Sequence, residues 1–345
     1  MSVNDIWKYW KKFWFRPESP LSLSVFRILV GFITLEYCLL LYPDLLNWFG
    51  AHSISTVESS RKILEFMGPT GINIFNWMPP GDTSIIIVFG FLLIASICLT
   101  AGFCTRLSAL LVYVALASFQ QQNGMIVNGG HILMKMTAFY LIFAPSSYFL
   151  SIDAWLKKRK QFPTEEKQDI VVSLSSDLQK SSPSLNGSVN IAPSGWTQRM
   201  LRFLIALIYF QAFWSKLEDK TWLDGTALYY VLRQQEFMRF PIEWISNNLW
   251  LCQSLTWGAL IIEFAMFSLL WFKETRYFVL VGALLLHAGI EYTMNLPIFE
   301  SIMMAYLVLF IPSKDLMKAY YKLRLWLAPE SAVEEQKVKE AALKI

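Results

Sequence analysis

Charge is scarce in this chain. Only 16% of its 345 residues are charged and 55% are hydrophobic, against about 25% charged and about 45–50% apolar in soluble domains. Both departures point to a membrane protein. The net charge of +4 is small and spread along the chain, so it carries topology rather than the dense basic patch of a nucleic-acid binder. Cysteine is sparse too. Cys38, Cys98 and Cys104 lie in or at the ends of apolar runs, Cys252 opens another, and none forms a CxxC pair. That pattern implies buried free thiols, with no disulfide framework and no metal site. The first twenty residues lack a small-residue cleavage site, so no removable signal peptide is expected and the first apolar run would act as an uncleaved anchor.

What the chain has in abundance is aromatic side chains and long apolar runs. Fourteen Trp, fourteen Tyr and twenty-six Phe suit extensive interfacial belts. Residues 1–20 alternate Lys8, Lys11, Lys12 and Arg16 with Trp and Phe, the pattern of an amphipathic segment on a membrane face. Apolar runs then follow over 21–42, 83–104, 107–123, 131–149, 197–216, 249–272, 277–295 and 298–311. They predict an all-α, polytopic helical bundle of about eight transmembrane helices. Residues 43–82, rich in turn formers, read as a loop or re-entrant segment with short helices. A polar stretch over 157–195 reads as a flexible cytoplasmic linker, and 313–345 as a basic amphipathic tail.

The basic segments are the N-terminus, Arg106, Lys157–Lys160, Lys273 with Arg276, and the tail after Pro312. With eight spans all of them fall on one side, which predicts a multi-pass protein of a bacterial plasma membrane with both termini cytoplasmic. The polar residues of the apolar runs then gather in the outer half. Lys216 ends the fifth span, Asn128 and His131 open the fourth, and His287 lies well inside the seventh, with Glu291 and Asn295 following it on the same general face. Ionisable groups at such depth are candidates for function. A lysine at the edge of hydrocarbon is either a snorkelling anchor or a group tuned for proton chemistry, and Lys216 stands open between the two. Arg27, Glu36 and Glu263 read as structural charges, with pairing between the first and sixth spans supplying partners. Asp153 and Asp224 read as local turn or cap residues, and Gly31, Gly90, Gly102 and Gly258 as close-packing points. No inverted repeat supports a transporter.

Several motifs are together similar to one family. Ser19-Pro20-Leu21-Ser22-Leu23-Ser24-Val25-Phe26-Arg27, Ala101-Gly102-Phe103-Cys104-Thr105-Arg106, Tyr148-Phe149-Leu150-Ser151-Ile152-Asp153, Ser215-Lys216-Leu217-Glu218 with Trp222-Leu223-Asp224-Gly225, and the run from His287 to Phe299 resemble the HTTM (horizontally transferred transmembrane) domain. That domain is related to the membrane part of vitamin K-dependent gamma-glutamyl carboxylase. The likeness runs in order over about 19–312. It implies an enzyme in which a neutral lysine deprotonates a reduced naphthoquinone. With O2 the quinol yields a strong base, which removes a proton from a glutamate side chain, and CO2 then adds. Carried over, Lys216 is the base, with His287, His131 and Asn128 as further catalytic residues. A peptide or protein substrate would be met at the outer face, beside the lipid bilayer. The carboxylases' Asn-His pair falls on Gly129-Gly130, flanked here by Asn128 and His131, and their large extramembrane domain has no counterpart in the residues after Pro312. The alternative implied by shorter relatives is a non-catalytic membrane partner in peptide maturation or secretion.

Overall fold

The computed structural model describes residues 3–54, 62, 71–161 and 193–327, and among them all regular structure is helical. The helices are α1 (Val3–Phe15), α2 (Leu21–Leu41), α3 (Asp82–Ala101), α4 (Thr105–Gln122), α5 (Gly129–Phe143), α6 (Ile152–Gln161), α7 (Trp196–Leu217), α8 (Leu249–Ser268), α9 (Arg276–Thr293), α10 (Phe299–Leu307) and α11 (Ser313–Leu327), with single turns between some of them. Each predicted apolar run carries a helix. Four stretches are long and apolar enough to cross a membrane: Leu21–Phe49, Asp82–Ala101, Trp196–Leu217 and Leu249–Ser268. The others are shorter or more polar; α10 continues through one 3-10 turn to Phe310. Large apolar side chains face outward along these helices, Phe278 at 82% exposure and Ile261 and Leu285 at 67%. In water such a surface would drive association, whereas in lipid it is the expected exterior.

Residues 1–310 form one unit and the tail from Ile311 another. In the first, α2 packs on α3, α3 on α4 and α4 on α5, while α7 packs on α8, α8 on α9 and α9 on α10; α10 returns to α5 and α2. In the tail, α11 places Lys318 3.8 Å from Asp315, and 328–345 lie outside the described residues. So do residues 162–192, the body of the predicted linker. Its first residues, Lys157–Gln161, finish helix α6. Its last are tied to the N-terminal segment, where Glu18 N–H donates to Pro193 O (3.3 Å) and Gly195 N–H to Arg16 O (3.2 Å). Of the 43–82 region, residues 55–61 and 63–70 also lie outside the described set; the rest holds a short helix at Leu45–Phe49 and a 3-10 turn at Ile74–Trp77.

Two charged side chains, Arg27 and Asp153, hold one end of the bundle, and neither does so in the way the sequence predicts. Arg27 is fully buried and has no carboxylate partner from α8. Its guanidinium instead donates to four carbonyls: Leu99 (2.5 Å), Thr100 (2.9 Å), Ser146 (3.2 Å) and Leu150 (2.6 Å). The last carbonyls of α3 have no intrahelical donors, and a planar fork with five N–H groups can satisfy several at once. Asp153 is not a local cap. Its carboxylate accepts from Cys104 N–H (2.9 Å), Thr105 N–H (2.9 Å) and Thr105 Oγ1–H (2.8 Å), and so starts α4 from 48 residues away. Gly102, at φ +70°, closes α3 between them; a Cβ there would meet Ser151 and Arg27. Asp224 is local, accepting from Thr226 N–H and Oγ1–H. Gly31 lies against Thr100, as close packing requires, but Gly90 and Gly258 face open space, so they are not packing points.

Candidate functional site

The helix α7 spans about 33 Å at 1.5 Å per residue. It carries Tyr209 and Lys216 seven residues apart, on one face and about 10.5 Å along the axis. Lys216 Nζ is hydrogen-bonded to Glu263 Oε1 of α8, so Glu263 finds its partner on α7 and not on α2. On its other side the ammonium lies 4.8 Å from the centroid of the Trp222 ring. Trp222 is held there by local chemistry. Asp219 caps the turn Lys220–Leu223 by accepting from Thr221 N–H and Oγ1–H, both at 2.9 Å. The segment is then tied to α8 by Trp257 Nε1–H to Leu223 O (3.2 Å) and Gln253 Nε2–H to Asp224 O (3.1 Å). Gly225 follows at φ +83°, against Gln253. The two hydrogen bonds from Thr226 hold the exposed Asp224 carboxyl below its ordinary range.

Deeper in the same group of helices, His287 of α9 bridges two buried residues. Its Nδ1 meets Glu300 Oε2 and its Nε2 lies 2.5 Å from Tyr209 Oη. With Glu300 ionised, Nδ1–H donates to the carboxylate and Nε2 accepts from the tyrosine hydroxyl. Glu300 is 0% exposed and sits in the first turn of α10, where the helix dipole favours an anion. Ile298 just before it adopts φ +72°, an outlier for a β-branched residue, and this corner turns α10 back into the bundle. Glu300 Oε1 and Glu263 Oε2 are buried without a hydrogen-bond partner among the described residues.

Asn128 and His131 are placed together, at the start of α5. Asn128 Oδ1 accepts from His131 N–H (3.1 Å) and Asn128 N–H donates to His131 Nδ1 (3.2 Å), a reciprocal cap. Asn128 Nδ2–H reaches Pro297 O (3.3 Å), and His131 packs edge-on to Tyr37 at 5.2 Å. Gly130 permits the approach: a Cβ there would lie 2.7–2.8 Å from the Phe299 backbone. These two residues therefore hold the corner that carries Glu300, and no contact joins them to Lys216 among the described residues. Glu291 stands apart, paired with Arg239 at 2.9 Å, and Asn295 N–H bonds Phe237 O (2.6 Å); both fix a loop and not the His287 cluster.

The sequence pattern does not single out Tyr209 or Glu300. The available signals are the heptad spacing of Tyr209 to Lys216 and a carboxylate in the first turn of a short apolar helix after Pro297. Chemically the site holds an ammonium–carboxylate pair and a carboxylate–imidazole–phenol chain. Beside the former is an aromatic wall, in which Phe210 and Phe213 of α7 meet Phe267 and Phe264 of α8 at 5.3–5.5 Å. Among the described residues no group of three or more His, Cys, Asp or Glu is placed to hold a metal ion.

Comparison with known proteins fits this architecture. The uncharacterized protein YitO of Bacillus subtilis (strain 168) is 25% identical over 135 residues, which are 37% of this chain and 43% of that protein. The chain thus matches less than half the length of that relative. No solved structure matches it. The family profile described as HTTM domain covers residues 15–166 and 181–314. Most of the sequence lies within those stretches, and the chain belongs to the HTTM domain family.

Proposed function

We propose that this membrane protein is an enzyme of the carboxylase or epoxidase type, using a reduced quinone at an outward-facing cavity with Lys216 as base. The observation that carries the reading is the Lys216–Glu263 pair, set beside the buried Glu300–His287–Tyr209 chain. Moving the lysine proton onto Glu263 leaves an amine beside a carboxyl group and creates no net charge in a low-dielectric site. The free amine can then take a proton from an acidic hydroxyl. Trp222 holds the amine in position and favours the cation once it forms. Glu300 fixes the His287 tautomer, so Nε2 and the Tyr209 hydroxyl can exchange a second proton away from water. The aromatic wall of Phe210, Phe213, Phe264 and Phe267 suits a flat apolar ring beside Lys216. When bound, a reduced naphthoquinone supplies, with O2, the strong base needed to make a carbanion that CO2 can trap.

The proposal includes eight crossings with both termini cytoplasmic. Supporting it, polar contacts join predicted cytoplasmic segments to one another: Arg16 and Glu18 with 193–202, and Arg27 with Leu99, Thr100, Ser146 and Leu150. Asn128 with Pro297, Arg239 with Glu291, and Gln253 with Asp224 link segments of the opposite end. The alternative is a non-catalytic partner in peptide maturation or secretion, and the observation favouring it is that Lys216 is held on two sides, by Glu263 and by Trp222.

Purified protein in nanodiscs, given reduced naphthoquinone, O2, bicarbonate and a glutamyl peptide, separates the two. Lys216→Arg retains the cation but cannot act as a neutral base. Epoxide from wild type and none from the arginine variant is the expected result. A folded wild-type protein that forms no epoxide would leave the partner reading in place.

A further inference from the structure

Where α1 meets α7, three guanidinium groups share one carboxylate. Glu18, between α1 and α2, takes Arg202 Nη1 on one oxygen at 2.7 Å and Arg199 Nη2 on the other at 3.5 Å. The two arginines stand three residues apart on α7 and so reach the same side of that helix. Arg276, the first residue of α9, completes the group. Its Nε and Nη2 donate to Leu270 O and Trp271 O, both at 3.4 Å. The Trp271 ring meets Phe310 edge-on at 5.7 Å, and the Arg202 guanidinium lies 5.9 Å from that same Phe310 ring. Arg276 and Arg199 are both close enough to Arg202 for their charges to act on it. Arg276 has no ion pair among the described residues. Lys273 and Glu274, exposed just before α9, are of opposite sign and offset each other. Three cations against one carboxylate therefore leave two positive charges uncompensated, and the exposed Arg16 adds to that sign.

The donors of this cluster are not exhausted. A guanidinium carries five N–H groups and no acceptor. Arg202 uses two of them, on Leu309 O and Glu18, and Arg276 two, on backbone carbonyls. The side chains are not simply solvated either, being 14% exposed at Arg199 and 17% at Arg202. Uncompensated cations so placed call for an oxyanion, which brings only acceptors and suits the fork of each arginine. The surroundings say what carries it. Phe203 on α7, Trp271 and Phe272 after α8, and Phe278 on α9 are all exposed, and on a membrane-spanning helix such a surface faces lipid. We infer that this cluster binds an anionic lipid, its oxyanion head between Arg202 and Arg276 and its tail along the exposed aromatic side chains of α7 and α9. A zwitterionic lipid carries its own cation and so leaves the two positive charges uncompensated. A free inorganic anion gains nothing from the aromatic surround. The site is separate from the Lys216 cluster, which lies at the far end of α7, fourteen residues from Arg202.

The test is photolabelling of the full chain in phosphatidylcholine nanodiscs, mapped by peptide mass spectrometry. One probe is a diazirine-bearing phosphatidylglycerol and the other the same diazirine on phosphatidylcholine. At about fivefold for each uncompensated cation, the anionic probe should label residues 199–203 and 271–278 about thirtyfold more than the zwitterionic one. Unlabelled phosphatidylglycerol and palmitate should displace it, the stronger of the two showing whether a phosphate or a carboxylate head is preferred, and sodium phosphate should not. Arg276→Gln removes one cation and should cut the preference to about fivefold. Glu18→Gln removes the carboxylate and should raise it by about fivefold, while Arg199 still ties α1 through Trp14 O and Arg16 O. Melting of each variant checks its fold. Were these residues only structural, both substitutions would move labelling the same way. That outcome, equal labelling by the two probes, or displacement by sodium phosphate would each overturn the assignment.

Discussion

Replacing Arg27 by methionine tests the account of the fold most directly. The guanidinium is fully buried and donates to four carbonyls. Two of these have other donors: Leu99 O also accepts from Gly102 N–H, and Ser146 O from the Ser24 hydroxyl. Among the described residues, Thr100 O and Leu150 O accept only from Arg27. Methionine fills much of the volume but donates nothing, so two part-buried carbonyls lose this partner. Both carbonyls are only part-buried, so at the low end of about 1–3 kcal/mol for each stranded group the destabilisation is about 2 kcal/mol. That is a large share of the roughly 5–15 kcal/mol that separates folded from unfolded in ordinary domains. At about 2–4 °C per kcal/mol for chains of 150–250 residues, and the lower figure for one of 345, the melting temperature in detergent should fall by about 4 °C. Arg27→Lys should lie between, because a point charge with three donors cannot match the fork. Hydrogen exchange should rise first at 99–105 and 150–154, the segments the side chain joins. If Arg27→Met melts within about 2 °C of wild type, with exchange unchanged there, the carbonyls have other donors and the reasoning fails.

Other perturbations read other parts of the molecule. Burial pushes the Asp153 carboxyl up, but the bonds from Thr105 and Cys104, with the charge of Lys157, outweigh it and hold the group below its ordinary range. The stability it contributes is thus full above the unfolded carboxylate value of about 3.9 and lost as pH falls through the lower folded value; melting followed from about pH 6 to pH 2 should show a loss that Asp153→Asn removes. Gly130→Ala would press on the Phe299 backbone and should destabilise by about 1–3 kcal/mol in chemical or thermal unfolding. Gly90→Ala, in open space within a helix, should be neutral or stabilise by up to about 1 kcal/mol in the same assay. Tyr209→Phe removes the hydroxyl that meets His287 Nε2 and, on the enzyme reading, should reduce epoxide formation by about 10²-fold or more in a protein that still folds; unchanged turnover would remove Tyr209 from the proton chain.

Apolar runs show themselves in sequence because hydrocarbon accepts few residue types, and the helices accordingly lie where composition puts them. Partners are less legible. The charges of Arg27 and Glu263 suggest a pair, yet Arg27 satisfies backbone carbonyls and Glu263 binds Lys216. A stranded carbonyl leaves no mark in the sequence, since every residue has one, whereas a stranded carboxylate is plain to see. Asp153 is misread for a related reason. Its acceptors look ready for the nearest N–H groups, but the chain turn at Leu150, with φ +49°, points it at a helix start 48 residues back. Glu300 is hidden because its burial depends on the Ile298 corner, and a positive φ at isoleucine is not something composition announces.

The placement of polar groups separates the two ends of the bundle by the kind of bond each uses. At one end Arg27 and Asp153 meet chiefly backbone groups, which neither titrate nor exchange partners readily, alongside the ion pair of Glu18 with Arg202. At the end holding Lys216 and His287, side chains meet one another, and each contact joins groups that can pass a proton between them. Structural stapling alone would be served as well by backbone partners, without desolvating two ions for each bond. Buried carboxylates with one oxygen satisfied and one free, at Glu263 and Glu300, are a poor solution for stability, because a half-satisfied buried anion is worse than an apolar pair. They suit a site in which protons arrive and leave. That contrast, rather than the depth of Lys216 alone, is the physical reason for assigning chemistry to the cluster of Lys216 and His287 and scaffolding to Arg27 and Asp153.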